Sequence, residues 1–483
     1  MSSTDNIKSK AVSGILYRFA ERIAAQTVST LVSIVLARIL LPEEYGIVAL
    51  VTIIITLCDT FVVSGLGASL IQKQDADRKD FSTIFWAGLL LSSILFVMLF
   101  FMAPVIASWY ENDTITPIIR VMAIRIPIAS VNSVQQAYVS KKLMFKKFFW
   151  ATISGTVISG VTGIIMAYQG FGVWALVAQY LINVSVGTIM LFLVVDWHPT
   201  FEFSFKKFTS LLSFGWKILV SGLLTDIYDE LRSFVIAGKY STEDLSFYTR
   251  GKQFPQLISK NVSSTITSVM FPVFSQYQED KIALKRMMRN SISLNSYIMA
   301  PLLIGLAAIA HNFVAVVYTD TWLPAVPFVQ VFCILYLFKP LKNINKSCLK
   351  AMGYSGLDLI LNLVEKVIGI ILIFIFMNHG PLYLAISALA TYFISAIIDA
   401  FVNGKILSYS IFEQINDLMP SLILSAISCG ISYLIGFLDA NIYLLLLLQI
   451  VAAIVIYIRL SAILKIRSYK YLLDIVKKLI IKK

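Results

Sequence analysis

Positively charged side chains interrupt several long apolar runs in this sequence. Arg18 and Arg22 are four residues apart, so on a helix they share one face. Guanidinium and ammonium groups bind phosphate oxygens through charge-assisted hydrogen bonds. The sequence therefore predicts a cationic cavity for an anionic substrate, with internal ion pairs such as Arg18 with Glu21 as the alternative. The predicted cavity residues are Arg18, Arg22, Arg125, Lys217, Arg250, Lys252 and Lys260.

Carboxylates also occur inside apolar runs. An ionisable residue at the centre of a bilayer costs about 2.5–3.5 kcal/mol on insertion scales, so its presence calls for a function or a partner. Asp59, Asp226 and Glu365 are candidates for binding a coupling ion, and structural pairing is the alternative for each. Lys339 and Lys342 lie near a predicted span end, where we expect their side chains to extend to the lipid headgroups.

The residues do not form a pattern expected of an enzyme or a metalloprotein. The histidines, His198, His311 and His379, are far apart, and no metal-binding spacing or nucleophile–base motif links them. The four cysteines lack CxxC spacing, and we interpret them as small buried apolar residues. We expect no catalytic site, no metal and no cofactor, and hence a transporter and not an enzyme.

Composition indicates which elements position these residues. Of the 483 residues, 58% are hydrophobic and only 14% are charged. The mean hydropathy is +0.81. Soluble domains have roughly half of their residues apolar and about a quarter charged. Because a soluble fold of this size could not bury so much apolar surface, the sequence predicts an all-α polytopic membrane protein.

Apolar runs long enough to cross a bilayer, about 20 helical residues, follow one another along the chain. They predict about fourteen transmembrane helices. The spans are residues 12–40, 45–70, 81–109, 115–140, 148–168, 172–197, 208–237, 245–274, 291–317, 325–345, 357–377, 383–407, 418–438 and 442–464. Prolines 127, 255, 272, 301 and 340 fall inside spans and predict kinks.

Lysine and arginine residues are concentrated in alternate loops. With a cytoplasmic N-terminus, the inner loops and the C-terminal tail carry nearly all of the loop cations, and the outer loops carry only Lys239. This positive-inside pattern predicts that both termini are cytoplasmic. It also explains the net charge of +13 without nucleic acid as a partner; the bilayer is the expected surroundings.

Two stretches of the chain resemble each other. Residues 34–45 (IVLARILLPEEY) and 234–245 (FVIAGKYSTEDL) both end a predicted span and place acids at the start of the next helix. A parallel repeat of this kind suits alternating access with the substrate bound between lobes. We expect six-helix lobes at residues 1–197 and 198–407, related by a pseudo-two-fold axis along the membrane normal, and two extra helices with a basic tail at 408–483.

The chain resembles polysaccharide flippases of the Wzx/WzxC-like group, exporters of the lipopolysaccharide, teichuronic acid and colanic acid type. That group belongs to the multidrug/oligosaccharidyl-lipid/polysaccharide (MOP) superfamily. The resemblance covers nearly the whole chain, and the order and spacing of its motifs are its specific part. The motifs are residues 36–47 (LARILLPEEYGI), 65–73 (GLGASLIQK), 81–86 (FSTIFW), 170–176 (GFGVWAL), 197–199 (WHP) and 351–353 (AMG).

The resemblance implies a V-shaped, two-lobe transporter in the bacterial cytoplasmic (inner) membrane. Its substrate would be an undecaprenyl-diphosphate-linked oligosaccharide, moved from the cytoplasmic to the outer leaflet for surface polysaccharide synthesis. The family also implies coupling to H⁺ or Na⁺, most readily H⁺, and a glycan polymerase as a possible partner. Matched by helix and depth, the residues that would receive the diphosphate are Arg18, Arg22, Lys217, Arg250, Lys252 and Lys260.

Two other functions remain open on the sequence. A MATE-like multidrug or cation antiporter of the same superfamily would favour carboxylates in its cavity, whereas the predicted cavity is cationic. A membrane glycan polymerase or ligase would need a sizeable outer loop that carries Arg or His, and the predicted outer loops are short.

Overall fold

The computed structural model describes residues 3–63 and 66–481, and these residues form α-helices and short connections without any strand. Gly65, the first residue of one family motif, and Lys482 and Lys483 of the basic tail lie outside the described residues. The helices are α1 (Ser3–Ile39), α2 (Pro42–Val63), α3 (Leu66–Gln72), α4 (Arg78–Trp109), α5 (Ile115–Met122), α6 (Arg125–Lys141), α7 (Phe145–Tyr168), α8 (Val173–Val194), α9 (Phe205–Lys239), α10 (Thr242–Gln276), α11 (Lys281–Ala308), α12 (Ala310–Val317), α13 (Val326–Leu337), α14 (Lys339–Ala351), α15 (Ser355–Phe376), α16 (Pro381–Leu407), α17 (Ile411–Ile435), α18 (Ile442–Ile463) and α19 (Arg467–Ile481), with a 3-10 turn at Asp320–Ala325.

The predicted all-helical membrane architecture is confirmed. Within the described ranges, twelve helical segments are long and apolar enough to cross a membrane. A thirteenth is α9, which bends by 50° between Phe205–Ser213 and Gly215–Lys239. The fourteenth predicted span corresponds to α10, a 35-residue helix that is long enough but interrupted by charged residues such as Arg250, Lys252 and Lys260.

Two spans are broken in the same way. The span at residues 115–141 is interrupted between α5 and α6, and that at residues 326–351 between α13 and α14. In both, a cation begins the second half, Arg125 in α6 and Lys339 in α14, and a proline follows within the first turn, Pro127 or Pro340. Proline is tolerated there because the first-turn N–H groups have no intrahelical acceptor, and it disfavours a continuous helix.

Local side-chain chemistry defines several helix starts. Asp77 accepts a hydrogen bond from the Asp80 backbone N–H, and Asp80 accepts one from the Asp77 N–H, which caps α4. Ser410 and Glu413 form the same reciprocal arrangement at α17. Such capping boxes satisfy N–H groups that the helix leaves unpaired. The two repeat stretches also place acids in first turns, at residues 43–44 of α2 and 243–244 of α10.

The helices divide into two compact units, Met1–Ser246 and Phe247–Lys483, with the boundary inside α10. In the first unit, α7 packs against α1 and α8, α4 packs against α6, and α9 packs against α2 and α3. In the second unit, α11 packs against α13, α14 and α17, while α16 packs against α14 and α15. The predicted lobe limits at residues 197 and 407 stay a prediction.

Candidate functional site

In the first unit, a polar cluster joins α2, α6 and α9. An Arg125 Nη atom lies 3.4 Å from Asp59 Oδ2. The neighbouring Thr60 donates a hydrogen bond from Oγ1 to Asp226 Oδ2 at 2.5 Å. Asp59 Oδ1 is buried and receives no hydrogen bond from the described residues. The structure thus brings together Arg125, predicted to bind substrate, and Asp59 and Asp226, predicted to bind a coupling ion.

The break between α5 and α6 positions Arg125. Since α6 begins at Arg125, this side chain leaves from the first residue of a half-helix that packs against α2. The positive N-terminal end of α6 and the guanidinium group both favour an anion at this point. Asp59 fills that role within the unit, so Arg125 is already neutralised.

The two α1 arginines have different surroundings. An Arg18 Nη atom lies 3.3 Å from Glu21 Oε2, and its guanidinium carbon lies 3.8 Å from the centroid of the Phe148 ring. Arg18 thus has the ion pair that was the alternative explanation from the sequence. The Arg22 side chain is exposed and has no ion pair or hydrogen bond with any described residue.

The predicted cations of α9 and α10 also differ in their partners. Lys217 is exposed, Lys252 is half-buried and Lys260 is exposed, and none of the three is paired to an acid in the described part of the chain. Lys260 instead lies near Lys339, the first residue of α14. An anion between two such like charges would relieve their repulsion.

Arg250 is held in an aromatic and amide setting. Its Nη1 donates to Gln253 Oε1 at 2.7 Å, and Tyr318 Oη donates to the same oxygen at 3.2 Å. The guanidinium carbon lies 5.8 Å from the ring centroids of Tyr318 and Trp322, both of which are fully buried. Cation–π contacts of this kind attract a guanidinium to the faces of aromatic rings and help to orient it.

In the second unit, an ion-pair ladder runs along α14. We define the ladder as Lys342, Lys346 and Lys350 of α14 with Asp358 and Glu365 of α15 and Asp399 of α16. Glu365 receives the ammonium groups of both Lys342 and Lys346, the second at 3.3 Å. Lys350 lies 3.3 Å from Asp358, and Lys346 lies 4.0 Å from Asp399.

The ladder corrects one expectation and adds residues that the sequence did not single out. The prediction that Lys342 extends to the headgroups is wrong, because its side chain is only 6% exposed and is bonded to Glu365. Asp399 and Lys346 were not predicted as site residues. The i, i+4, i+8 spacing of the three lysines was a signal for one charged face, but their acidic partners lie on two other helices.

A separate cavity of about 360 Å³ lies in the first unit, near the start of α4 and the end of α6. Its lining includes Arg78, Lys142 and Trp197. Asp77, also in the lining, is bonded to Lys207, and this ion pair lowers the pKa of the Asp77 carboxyl to about 2. The cavity is distinct from the polar cluster of α2, α6 and α9. Among the described residues, no group of three or more His, Cys, Asp and Glu side chains is arranged to hold a metal ion.

Comparison with known proteins shows consistent similarities. A family described as "Polysaccharide biosynthesis protein" matches residues 35–327. The chain is 29% identical over 296 residues to teichuronic acid biosynthesis protein TuaB of Bacillus subtilis (strain 168), covering 61% of each chain. It is 22% identical over 435 residues to lipopolysaccharide biosynthesis protein WzxC of Escherichia coli (strain K12), covering 89% of this chain and 88% of that protein. The match to TuaB thus spans about three fifths of that relative's length.

Solved structures share the fold. The lipid II flippase MurJ in an inward closed conformation superposes with a TM-score of 0.74 at 16% identity, covering 95% of this chain and all of that chain. An inward-facing multidrug resistance MATE family transporter of the MOP superfamily gives a TM-score of 0.62 at 16% identity. That match covers 79% of this chain and 94% of the transporter chain. At these identities the similarity establishes a common arrangement of helices.

Proposed function

The chain belongs to the polysaccharide biosynthesis protein family, and from that membership we propose that it is a flippase for lipid-linked oligosaccharides. Its substrate is an undecaprenyl-diphosphate-linked repeat unit, which it moves from the cytoplasmic to the outer leaflet of the bacterial inner membrane. The relatives named for teichuronic acid and lipopolysaccharide biosynthesis support this class of substrate. The substrate's diphosphate is the anion that the cationic side chains receive.

One observation carries the proposal. Four cations on three long helices, Arg22, Lys217, Lys252 and Lys260, have no acidic partner among the described residues. Uncompensated charge inside a bilayer is costly, so these groups call for an anion during the transport cycle. A diphosphate supplies that anion, and a guanidinium such as that of Arg22 matches its oxygens in geometry.

We further propose how the helices are organised into lobes and which ions drive transport. Two six-helix lobes at residues 1–197 and 198–407 alternate access to the substrate, and residues 408–483 add two helices and a cytoplasmic tail. Both termini are cytoplasmic, in agreement with the distribution of lysine and arginine. Transport is coupled to H⁺ or Na⁺, with Asp59, Asp226 and Glu365 as candidate ion-binding residues, and a glycan polymerase receives the flipped unit.

The test is complementation of bacterial strains that lack a known flippase, one strain for each of several glycan types. The wild-type chain is expected to restore surface polysaccharide and to remove accumulated lipid-linked intermediates in at least one strain. Arg22→Ala is expected to lower export at least about tenfold, which corresponds to about 1.4 kcal/mol of lost anion stabilisation. Arg286→Ala is the matched control, because Arg286 is an exposed arginine near the start of α11 and outside the proposed cavity.

Two results would contradict the proposal. One is a lack of rescue in every strain by a chain that is inserted in the membrane at normal levels. The other is equal export by Arg22→Ala and Arg286→Ala. Resistance to cationic drugs conferred by the chain, in the absence of any rescue, would support the antiporter function instead.

A further inference from the structure

The ion-pair ladder of the second unit combines three cations and three acids on three helices. Lys342, Lys346 and Lys350 occupy successive turns of one α14 face, and each faces an acid on α15 or α16. The three helices belong to segments long and apolar enough to cross a membrane. Ion pairs in such a place are expensive to desolvate, so each member needs nearby donors or acceptors.

The donors are shared unequally among the three acids. Glu365 receives two ammonium groups. Asp358 lies 3.3 Å from Lys350 Nζ and accepts a hydrogen bond from Asn362 Nδ2 at 3.1 Å. Asp399 is 1% exposed, and its buried Oδ2 receives no hydrogen bond from the residues that the structure describes; the nearest cation among them is Lys346, at 4.0 Å. Asp399 is therefore the acid whose ionised form is least satisfied.

Lys346, the described cation nearest to Asp399, already contacts two side chains of α15. Lys346 Nζ donates to Asn362 Oδ1 at 2.5 Å and also lies 3.3 Å from Glu365. An ammonium group has three protons, and two of them are directed to α15. Protonation of Asp399 would remove its charge and give Oδ2 or Oδ1 a proton to donate, without breaking either Lys346 contact.

The ladder is poorly suited to a metal cation. A hard cation needs several oxygen ligands, and the oxygens of Glu365 are already occupied by lysine ammonium groups. Lys342 is further fixed by the Tyr392 ring, whose centroid lies 4.2 Å from its nitrogen. A sodium ion beside Asp399 would lie close to Lys346, and the repulsion between like charges is strong where little water screens it.

From this geometry we propose that Asp399 is a proton-binding site of the ladder, with Lys346 as its resident cation, and that the coupling ion is H⁺ and not Na⁺. The coupling part of this inference rests on the proposed transport function. A proton from water binds a carboxylate oxygen of Asp399 to give the neutral carboxylic acid, and its release restores the carboxylate. No other bond changes.

The groups that face Asp399 decide how the proton is linked to the substrate. They are Lys342 and Lys346 from α14, Asp358 and Glu365 from α15, and the Tyr392 phenol of α16, which lies near Tyr336 of α13. With all carboxylates ionised, the three lysines and three acids cancel. Protonation of Asp399 leaves the ladder with one net positive charge, so proton binding and binding of an anion to this unit favour each other by linkage.

The test is infrared difference spectroscopy of the full chain in liposomes, without substrate. Changing the buffer from mildly alkaline to mildly acidic is expected to produce the carbonyl stretch of a buried protonated carboxyl group. Asp399→Asn should lose this band and Asp399→Glu should retain it at a shifted frequency. Asp358→Asn is the matched control in the same ladder and should keep the band. Replacing potassium by sodium in the buffer should leave the wild-type spectrum unchanged.

A second variant keeps the test decisive if Asp399→Asn fails to fold. Lys346→Met removes the resident cation, so the midpoint of the carboxyl band is expected to move to higher pH. An unchanged midpoint in Lys346→Met, a retained band in Asp399→Asn, or a sodium-dependent spectrum would each overturn the proposal. The spectra need no glycan substrate. A negative spectroscopic result would therefore contradict only the proton site, whereas a negative complementation result would contradict the flippase function.

Discussion

At the scale of single residues, the charges inside the helices fall into neutralised and uncompensated groups. Arg18 and Arg125 each have an acidic partner within their unit. Arg22, Lys217, Lys252 and Lys260 have none among the residues described. The uncompensated cations are the better candidates for substrate binding, because a neutralised arginine must first lose its partner before it can bind a phosphate.

The pair of Arg125 and Asp59 is expected to stabilise the first unit. Asp59→Asn and Arg125→Gln each remove one partner and leave the other partly buried and unpaired, so each should lower the free energy of unfolding. The double variant should recover part of that loss, with a coupling energy of about 0.5–3 kcal/mol. Denaturant unfolding of the purified protein in detergent measures the cycle. Strictly additive losses would show that the two side chains do not interact.

At the scale of the elements, the matching breaks in the spans that contain α6 and α14 support the repeat suggested by the sequence. Both half-helices begin with a cation followed by proline, and both carry a side chain that pairs with an acid of a neighbouring helix. At each break a charged residue lies inside a span whose remaining residues are mostly apolar. Irregular backbone at such depth is tolerated where it is enclosed by protein.

A close helix contact in the first unit depends on glycine. A Cβ added at Gly46 of α2 would lie 1.7 Å from the backbone oxygen of Thr242, at the start of α10. Gly46→Ala should therefore force the two helix starts apart. The expected destabilisation is about 1–3 kcal/mol or more. The loss is measured as a lower thermal midpoint or a lower yield of monodisperse protein.

Gly430 of α17 provides the matched control for that prediction. A Cβ there would meet nothing within 4 Å. Gly430→Ala should therefore raise stability by up to about 1 kcal/mol, because alanine favours the helix. Equal behaviour of Gly46→Ala and Gly430→Ala would show that the close approach of α2 to Thr242 does not occur in the membrane.

At the scale of the whole molecule, the helical segments and the loop charges describe a multi-pass membrane protein. The two compact units divide inside α10, so one continuous helix belongs to both. The similarity to MurJ extends over 95% of the chain and shows that the two proteins share a fold. The loop charges predict the orientation of the protein in the membrane.

Cysteine labelling tests the predicted orientation. Asp113→Cys lies in a predicted outer loop and Lys142→Cys in a predicted inner one, and both positions are exposed. A membrane-impermeant thiol reagent is expected to label the first in intact cells and the second only after permeabilisation. Three of the native cysteines are buried and Cys58 is half-buried, so the unmodified chain is the background control. The reverse labelling pattern would show that the orientation in the membrane is opposite to the predicted one.

The sequence by itself determined the all-helical membrane fold and the approximate positions of the spans, because hydropathy and helical length are properties of consecutive residues. It also identified Arg125, Asp59, Asp226 and Glu365 as charges that required an explanation. Only the tertiary structure decided their partners, since each pair joins two different helices whose packing the sequence does not specify. Asp59 contacts Arg125 and Thr60 contacts Asp226 across helices, and nothing in the sequence near position 399 specifies Lys346 as its nearest cation. Periodicity fixes which face a residue occupies, whereas packing between helices decides which charge that face meets.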